Sequence, residues 1–304
     1  MNYSKNIYKK TFYDESVLFM KSLLIFENLN IGYLQMPKSG CSTIKSLLIN
    51  MGALKSDLIV KDQDAIHDDP SFSATFFNLK NYYSLSSKSV PIFTVVRNPF
   101  SRILSAYLEK IYYQHDKRKN YLGELGFSNN EKITFLTFLE RVGSKPKNTL
   151  DFHFMPQSTI LDVKKHPNII VGQLEDFDKF LYELSRYILK VRSAERNEEK
   201  NYVYEDVQNK KIAPHSVGAS SAKKIKKYYG PREIDFVKRI YVEDFQSFGY
   251  SLSIDDYAKK GVINTAFKFD NHQITRLEDI MSWRLGYEVI RKRSTDSIFG
   301  SEIK

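Results

Sequence analysis

The chain has 304 residues, 42% hydrophobic and 14% aromatic, with one cysteine and a formal net charge of +10. That composition excludes a disordered or fibrous protein, and a lone cysteine excludes an internal disulfide. The positive balance favours an acidic partner, which leaves nucleotides, anionic glycans, nucleic acid and membrane surfaces open.

Near the start, the apolar run VLFMKSLLIF (residues 17–26) follows Lys5, Lys9 and Lys10. It is too short to span a bilayer, is broken by Lys21 and Ser22, and has no small-residue cleavage site, so it reads neither as a membrane span nor as a secretory leader. Residues 22–26 read instead as a strand, turned back by residues 27–30 into a second strand over 31–36. A cytoplasmic protein is expected, with contact at a membrane surface as an alternative.

Residues 31–51, IGYLQMPKSGCSTIKSLLINM, hold the first strong signal. An apolar strand breaks at Pro37 into a polar loop of Lys38, Ser39, Gly40, Cys41, Ser42 and Thr43. A helix follows, with Ile44, Leu47, Leu48 and Met51 on one face. Strand, small-residue loop and helix present bare backbone N–H groups to an anion, Gly40 allows close approach, and Ser42 or Thr43 can cap the helix. Lys38 adds a cation at the mouth, so a phosphate or a sulfate suits the loop. It is not the nucleoside-triphosphatase loop, which places Lys after the last glycine. Cys41 could be a thiol activated by the helix N-terminus, but a small residue there more often packs.

Residues 52–90 carry an acidic run around His67, KDQDAIHDDP, without recognisable metal-ligand spacing, and no metal is expected. Residues 91–115 hold the second signal. Residues 92–96 form a continuous apolar strand, Arg97 and Asn98 end it, and Pro99 opens a helix whose core face is Leu104, Tyr107, Leu108 and Ile111. A charged residue at the carboxyl end of a strand lies where open α/β sheets bind ligands. Arg97 and Ser105 can converge on one anion.

Together the two segments, P-K-S-G-C-S-T and V-R-N-P-x-x-R-x-x-S-A-Y, resemble the 5′-phosphosulfate loop and the 3′-phosphate segment of sulfotransferases, in that family's order. The Cys after Gly resembles the carbohydrate branch (chondroitin, dermatan and HNK-1 type, with bacterial relatives). The resemblance implies an α/β fold with a P-loop-like, mainly parallel sheet flanked by helices. It implies 3′-phosphoadenosine 5′-phosphosulfate (PAPS) as donor, bound by residues 38–43, Arg97 and Ser105, and a carbohydrate hydroxyl as acceptor, anionic or neutral.

Further along, Phe135, Phe138, Leu139 and Val142 mark a helix. The segment DFHFMPQ (151–157) resembles the family's His-aromatic pair near a proline, which makes His153 the preferred general base, with His67 and His215 as competitors. A strand over 168–171 leads to a helix with Phe177, Phe180, Leu181, Leu184 and Ile188 inward. Glu175 reads as a first-turn helix charge. Residues 190–230 read as a polar loop over the sheet, basic at Lys223, Lys224, Lys226 and Lys227. Residues 231–250 read as one helix, whose end resembles the family's Y-x-x-D-F-x-x-F-G-Y.

Residues 1–254 are thus expected to form the catalytic domain and 255–304 a helical extension. In it Ile274, Leu277, Met281, Leu285 and Val289 form an amphipathic face for packing or homodimerisation. Nucleic acid is not the expected partner. The rival readings are a nucleotide-dependent kinase or phosphotransferase, which needs the other lysine placement, and a non-enzymatic binder of anionic glycan or nucleic acid.

Overall fold

The computed structural model describes residues 23–26, 29, 31–50, 89–113, 118–129, 131–167, 169–196, 219–262 and 274–276. His67, His215, the acidic run around His67 and most of residues 255–304 lie outside them.

β1 (Leu23–Phe26) and β2 (Ile31–Leu34) pair antiparallel, as the expected hairpin. β2 pairs parallel with β3 (Ser89–Val96), and β3 pairs parallel with β4 (Ile170–Gln173). The order is β1-β2-β3-β4. β3 alternates between two cores: Ile92 and Val96 join one, Phe93 and Val95 the other. Both faces of a parallel sheet are covered, which is why its strands read as unbroken apolar runs. Tyr33 and Phe93, paired in register, stack at 5.0 Å, and Phe180 packs on Phe93 at 5.6 Å.

One core lies under α1 (Cys41–Asn50) and α6 (Phe177–Arg196). Ile44, Leu47, Leu48, Phe177, Phe180, Leu181, Leu184 and Ile188 fill it, as their spacing predicts. Cys41 packs at its edge. The other core lies under α2 (Pro99–Tyr107), α4 (Phe135–Gly143) and later helices. Asn98 caps α2 by accepting from the Phe100 amide at 3.0 Å, and Pro99 occupies the first helical position. α2 then widens into a π-helical turn, Leu108–Tyr112, before α3 (Arg118–Leu125).

Several expectations change. α1 starts at Cys41, so Ser42 and Thr43 sit inside its first turn rather than capping it. The loop expected over 190–230 is partly helical: α6 runs to Arg196, and the four lysines lie on α7 (Ala219–Tyr228). Ile225 of α7 is buried, and one apolar anchor with Tyr228 and Tyr229 beyond it suffices to seat a basic helix. The single helix expected over 231–250 is two, α8 (Pro231–Ile240) and α9 (Val242–Ser247), broken at Tyr241. Tyr241 is fully buried with its hydroxyl on Phe154 O at 2.6 Å, an anchor that redirects the chain. Where the C-terminal helix was expected to begin, Ile274–Arg276 is a strand, β5, antiparallel to Ser89–Pro91 of β3. Those residues of β3 precede its registers with β2 and β4, and β5 supplies their backbone partners.

Candidate active site

The loop after β2 and the end of β3 are neighbours at the carboxyl edge of the sheet. Lys38 (φ 66) and Gly40 (φ 80) both have left-handed backbone, with Ser39 between them. Such alternation turns successive N–H groups to one side, and the first N–H groups of α1 have no intrahelical acceptor. At Gly40 a Cβ would also meet Leu174 Cδ1 at 3.0 Å. Left-handed backbone at a lysine is strained and needs surrounding contacts to hold it.

Those contacts come from the second motif. Arg97 is buried, its Nη1 donates to Lys38 O at 3.1 Å, and its Nε donates to Ser101 Oγ at 2.9 Å. Arg102, only 1% exposed, spreads its guanidinium over three carbonyls: Pro37 at 3.0 Å, Met155 at 2.8 Å and Phe152 at 3.0 Å. One side chain thus ties the anion loop to the segment that carries His153. Burial lowers the pKa of both arginines, partly offset by Glu175 for Arg97 and by Asp244 for Arg102.

Gln157 is the second tie. Its Oε1 accepts from the Arg97 amide (2.9 Å) and from Ser39 Oγ (3.2 Å), and its Nε2 donates to Arg97 O (2.9 Å). Asp244, wholly buried on α9, accepts from the Gln157 and Ser158 amides at 2.9 and 2.8 Å and from Ser158 Oγ at 2.7 Å. It therefore caps the short helix α5 (Gln157–Ile160). Burial still pushes its carboxyl above the usual range. Glu175 does lie in the first turn of the short 3-10 helix Leu174–Asp176, as expected, and it is also bonded across the fold: half-buried, it accepts from the Asn98 amide at 2.9 Å and from Tyr250 OH at 2.8 Å, and desolvation pushes it up as well.

Two side-chain clusters adjoin this frame, an ion-pair cluster at Lys38 and the pair of His153 with Asp151. Lys38 Nζ pairs with Glu109 Oε2 in the π-helical turn, and Glu109 Oε1 takes Lys110 Nζ at 2.8 Å. Burial raises the Glu109 carboxyl, but Lys38 and Lys110 outweigh it and hold it at about 2. Lys110 Nζ also lies 5.7 Å from the Tyr121 ring centre, and Tyr121 packs edge-on against His153 at 5.9 Å. His153, 27% exposed, has Nδ1 at 2.5 Å from Asp151 Oδ1, which also accepts the His153 amide at 2.9 Å. Burial raises Asp151, but the His153 bonds outweigh it and keep it below the ordinary carboxylate range. A carboxylate only accepts, so Nδ1 carries the proton and Nε2 is the bare acceptor of the neutral ring.

A family model described as "Sulfotransferase family" matches residues 21–251. The chain belongs to the sulfotransferase family. No curated protein and no solved structure gave a match. The matched span of this sulfotransferase includes the hairpin, both strand–loop–helix units, the His153 segment and α9. The structure brings Lys38, Ser39 and Arg97 together through Gln157 and the Lys38 carbonyl. Ser105 is half-buried on α2, eight residues from Arg97, and Arg97 bonds Ser101 instead.

Five residues of the site escaped sequence reasoning: Arg102, Glu109, Lys110, Asp151 and Asp244. Arg102, Asp151 and Asp244 lie inside the motifs quoted, and the signal for them was a charge three residues after Pro99, another two before His153 and a third three after Tyr241. Among the described residues no three His, Cys, Asp or Glu side chains group as metal ligands, and no helix is long and apolar enough to cross a membrane.

Proposed function

We propose that this sulfotransferase moves a sulfuryl group from PAPS to a hydroxyl of a carbohydrate acceptor. The observation that carries this reading is the 3.1 Å bond from Arg97 Nη1 to Lys38 O. It fastens the loop cation to the strand-end arginine, as a nucleotide with anions at both its 5′ and 3′ positions requires. The donors there fit such a ligand: Lys38, Arg97, the N–H groups of the loop, and Asn98 Nδ2, a buried donor with no partner among the described residues.

When bound, PAPS supplies the activated sulfuryl group. Lys38, with the backbone N–H groups of Ser39, Gly40, Cys41, Ser42 and Thr43 and the hydroxyls of the serines and the threonine, stabilises charge on the 5′ side, where in-line transfer spreads it. Arg97 and Ser105 hold the 3′-phosphate. His153 accepts the acceptor hydroxyl's proton at Nε2, because Asp151 occupies Nδ1. A kinase would place its lysine after the glycine. A non-catalytic anion binder would have no use for a carboxylate-oriented histidine beside the loop.

In this reading residues 1–254 are the catalytic unit and 255–304 an extension that begins to dock through β5. Homodimerisation and contact with a membrane surface are its proposed further uses. The absence of cysteine pairs supports a cytoplasmic setting.

The test is calorimetry with adenosine 3′,5′-bisphosphate in excess chelator, followed by transfer of labelled sulfate from PAPS to a panel of saccharides. Binding without divalent metal, and label on a saccharide, are expected. Nucleotide triphosphate binding that requires magnesium would establish the kinase instead, and saccharide binding without any nucleotide binding would establish the non-catalytic binder.

A further inference from the structure

Lys38 is not a free cation in the structure. Its side chain, 15% exposed, ends on Glu109 of the π-helical turn, and Glu109 in turn holds Lys110. π-turns inside α-helices are uncommon and often mark functional positions. A carboxylate within hydrogen-bonding reach of the loop cation reduces the positive charge that an incoming anion meets. The reduction matters most for the terminal group. A sulfuryl group at the end of a nucleotide carries one negative charge at any physiological pH. A terminal phosphoryl carries nearly two near neutrality, its last proton leaving at about pH 6.

We infer that Glu109 is a specificity-determining residue: its carboxylate sets the charge beside Lys38 to suit a singly charged sulfuryl group and disfavours a doubly charged phosphoryl in the same place. This rests on the proposed assignment of Lys38 to the 5′-phosphosulfate. Lys110 accounts for why the carboxylate stays in place when Lys38 turns to the nucleotide: its Nζ remains on Oε1 at 2.8 Å. The other groups facing this cluster are Tyr121 from α3 and, past Lys110, Asp151 with His153. They act on either nucleotide.

The probes are PAPS and adenosine 3′-phosphate 5′-diphosphate, its phosphoryl isostere, measured by competition calorimetry against adenosine 3′,5′-bisphosphate. At about pH 7.5 the wild type is expected to prefer PAPS by up to about fivefold, the effect of one extra charge a few ångströms from a partly exposed, screened carboxylate. At about pH 5.5 the terminal phosphoryl has taken up a proton, both ligands end in one charge, and the preference is expected to shrink several-fold. Glu109→Gln should bring the same shrinkage at the higher pH, chiefly by improving the isostere. The inference is overturned if the two affinities move together in Glu109→Gln, or if the wild-type ratio does not respond to pH. The wild-type pH arm stands even if the variant folds poorly. If the wild type binds neither adenosine 3′-phosphate derivative, the functional reading itself has failed; if it binds both with no preference, only the role of Glu109 has.

Discussion

His153 Nδ1 lies 2.5 Å from Asp151 Oδ1, two residues upstream in a tight turn. The same oxygen accepts the His153 amide, so the ring is held from its own backbone outward. Orientation and tautomer are therefore settled before any substrate arrives. His153→Ala should lower sulfuryl transfer by about two to four orders of magnitude while nucleotide binding persists. Asp151→Asn should lower kcat by about one to two orders. A purely structural Asp151 would lower melting temperature and leave kcat of the folded variant unchanged.

Lys38→Ala should reduce turnover by about two to three orders of magnitude, the scale of one lost transition-state donor. Affinity for adenosine 3′,5′-bisphosphate should fall less. Stopped-flow transfer beside equilibrium binding separates the two. Unchanged turnover with weakened binding would make Lys38 a clamp only.

Arg97 and Ser105 can be told apart because their structural contacts differ. Arg97 holds the Lys38 carbonyl, so Arg97→Ala should weaken every nucleotide and weaken 3′-phosphorylated ones by at least about tenfold more. Ser105 is half-buried and outside that frame. Ser105→Ala should cost about tenfold in affinity for the 3′-phosphorylated nucleotide and nothing for its 3′-hydroxyl analogue, with melting unchanged. Equal losses for both ligands would remove Ser105 from the 3′ site.

Arg102 joins three carbonyls from two segments some fifty residues or more away in sequence. Arg102→Lys keeps the charge and loses the fork, leaving buried carbonyls unpaired. Urea unfolding should show a loss of about 2–4 kcal/mol. Because the arginine spaces Lys38 relative to His153, turnover of the fully folded variant should fall as well. Native turnover in the folded variant would limit Arg102 to stability.

Glu109 gives an acid-stability signature. Its folded pKa of about 2 lies below the ordinary 4.5, so its contribution is complete above 4.5 and disappears as pH falls from there toward 2. With the side chain 44% exposed, screening limits that contribution to about 1 kcal/mol or less. Asp244 and Glu175, raised by burial, act in the opposite sense, so the measurement is the difference between wild type and Glu109→Gln. Wild type should be the more stable near neutrality by that small margin, and the margin should vanish by about pH 2. A margin that persists at the acid end would mean the glutamate acts by packing.

What the sequence by itself determined are the local units. β2 with its loop and α1, β3 with Arg97 and α2, α4 and the start of α6 all stand where periodicity, proline and glycine put them, because each of those signals acts within a few residues. The pattern tells which face is buried and cannot tell what that face meets. Tertiary structure alone decided that Gln157 and Asp244, 87 residues apart, share a bond, that Arg102 reaches Pro37 and Met155, and that Glu109 lies against Lys38 across 71 residues. It also turned residues 274–276 from helix to strand, since an unpaired stretch of β3 offered backbone partners that no local preference records. Charges show this most: their partners are chosen by burial, where an unpaired group is costly, and burial belongs to the assembled sheet and helices.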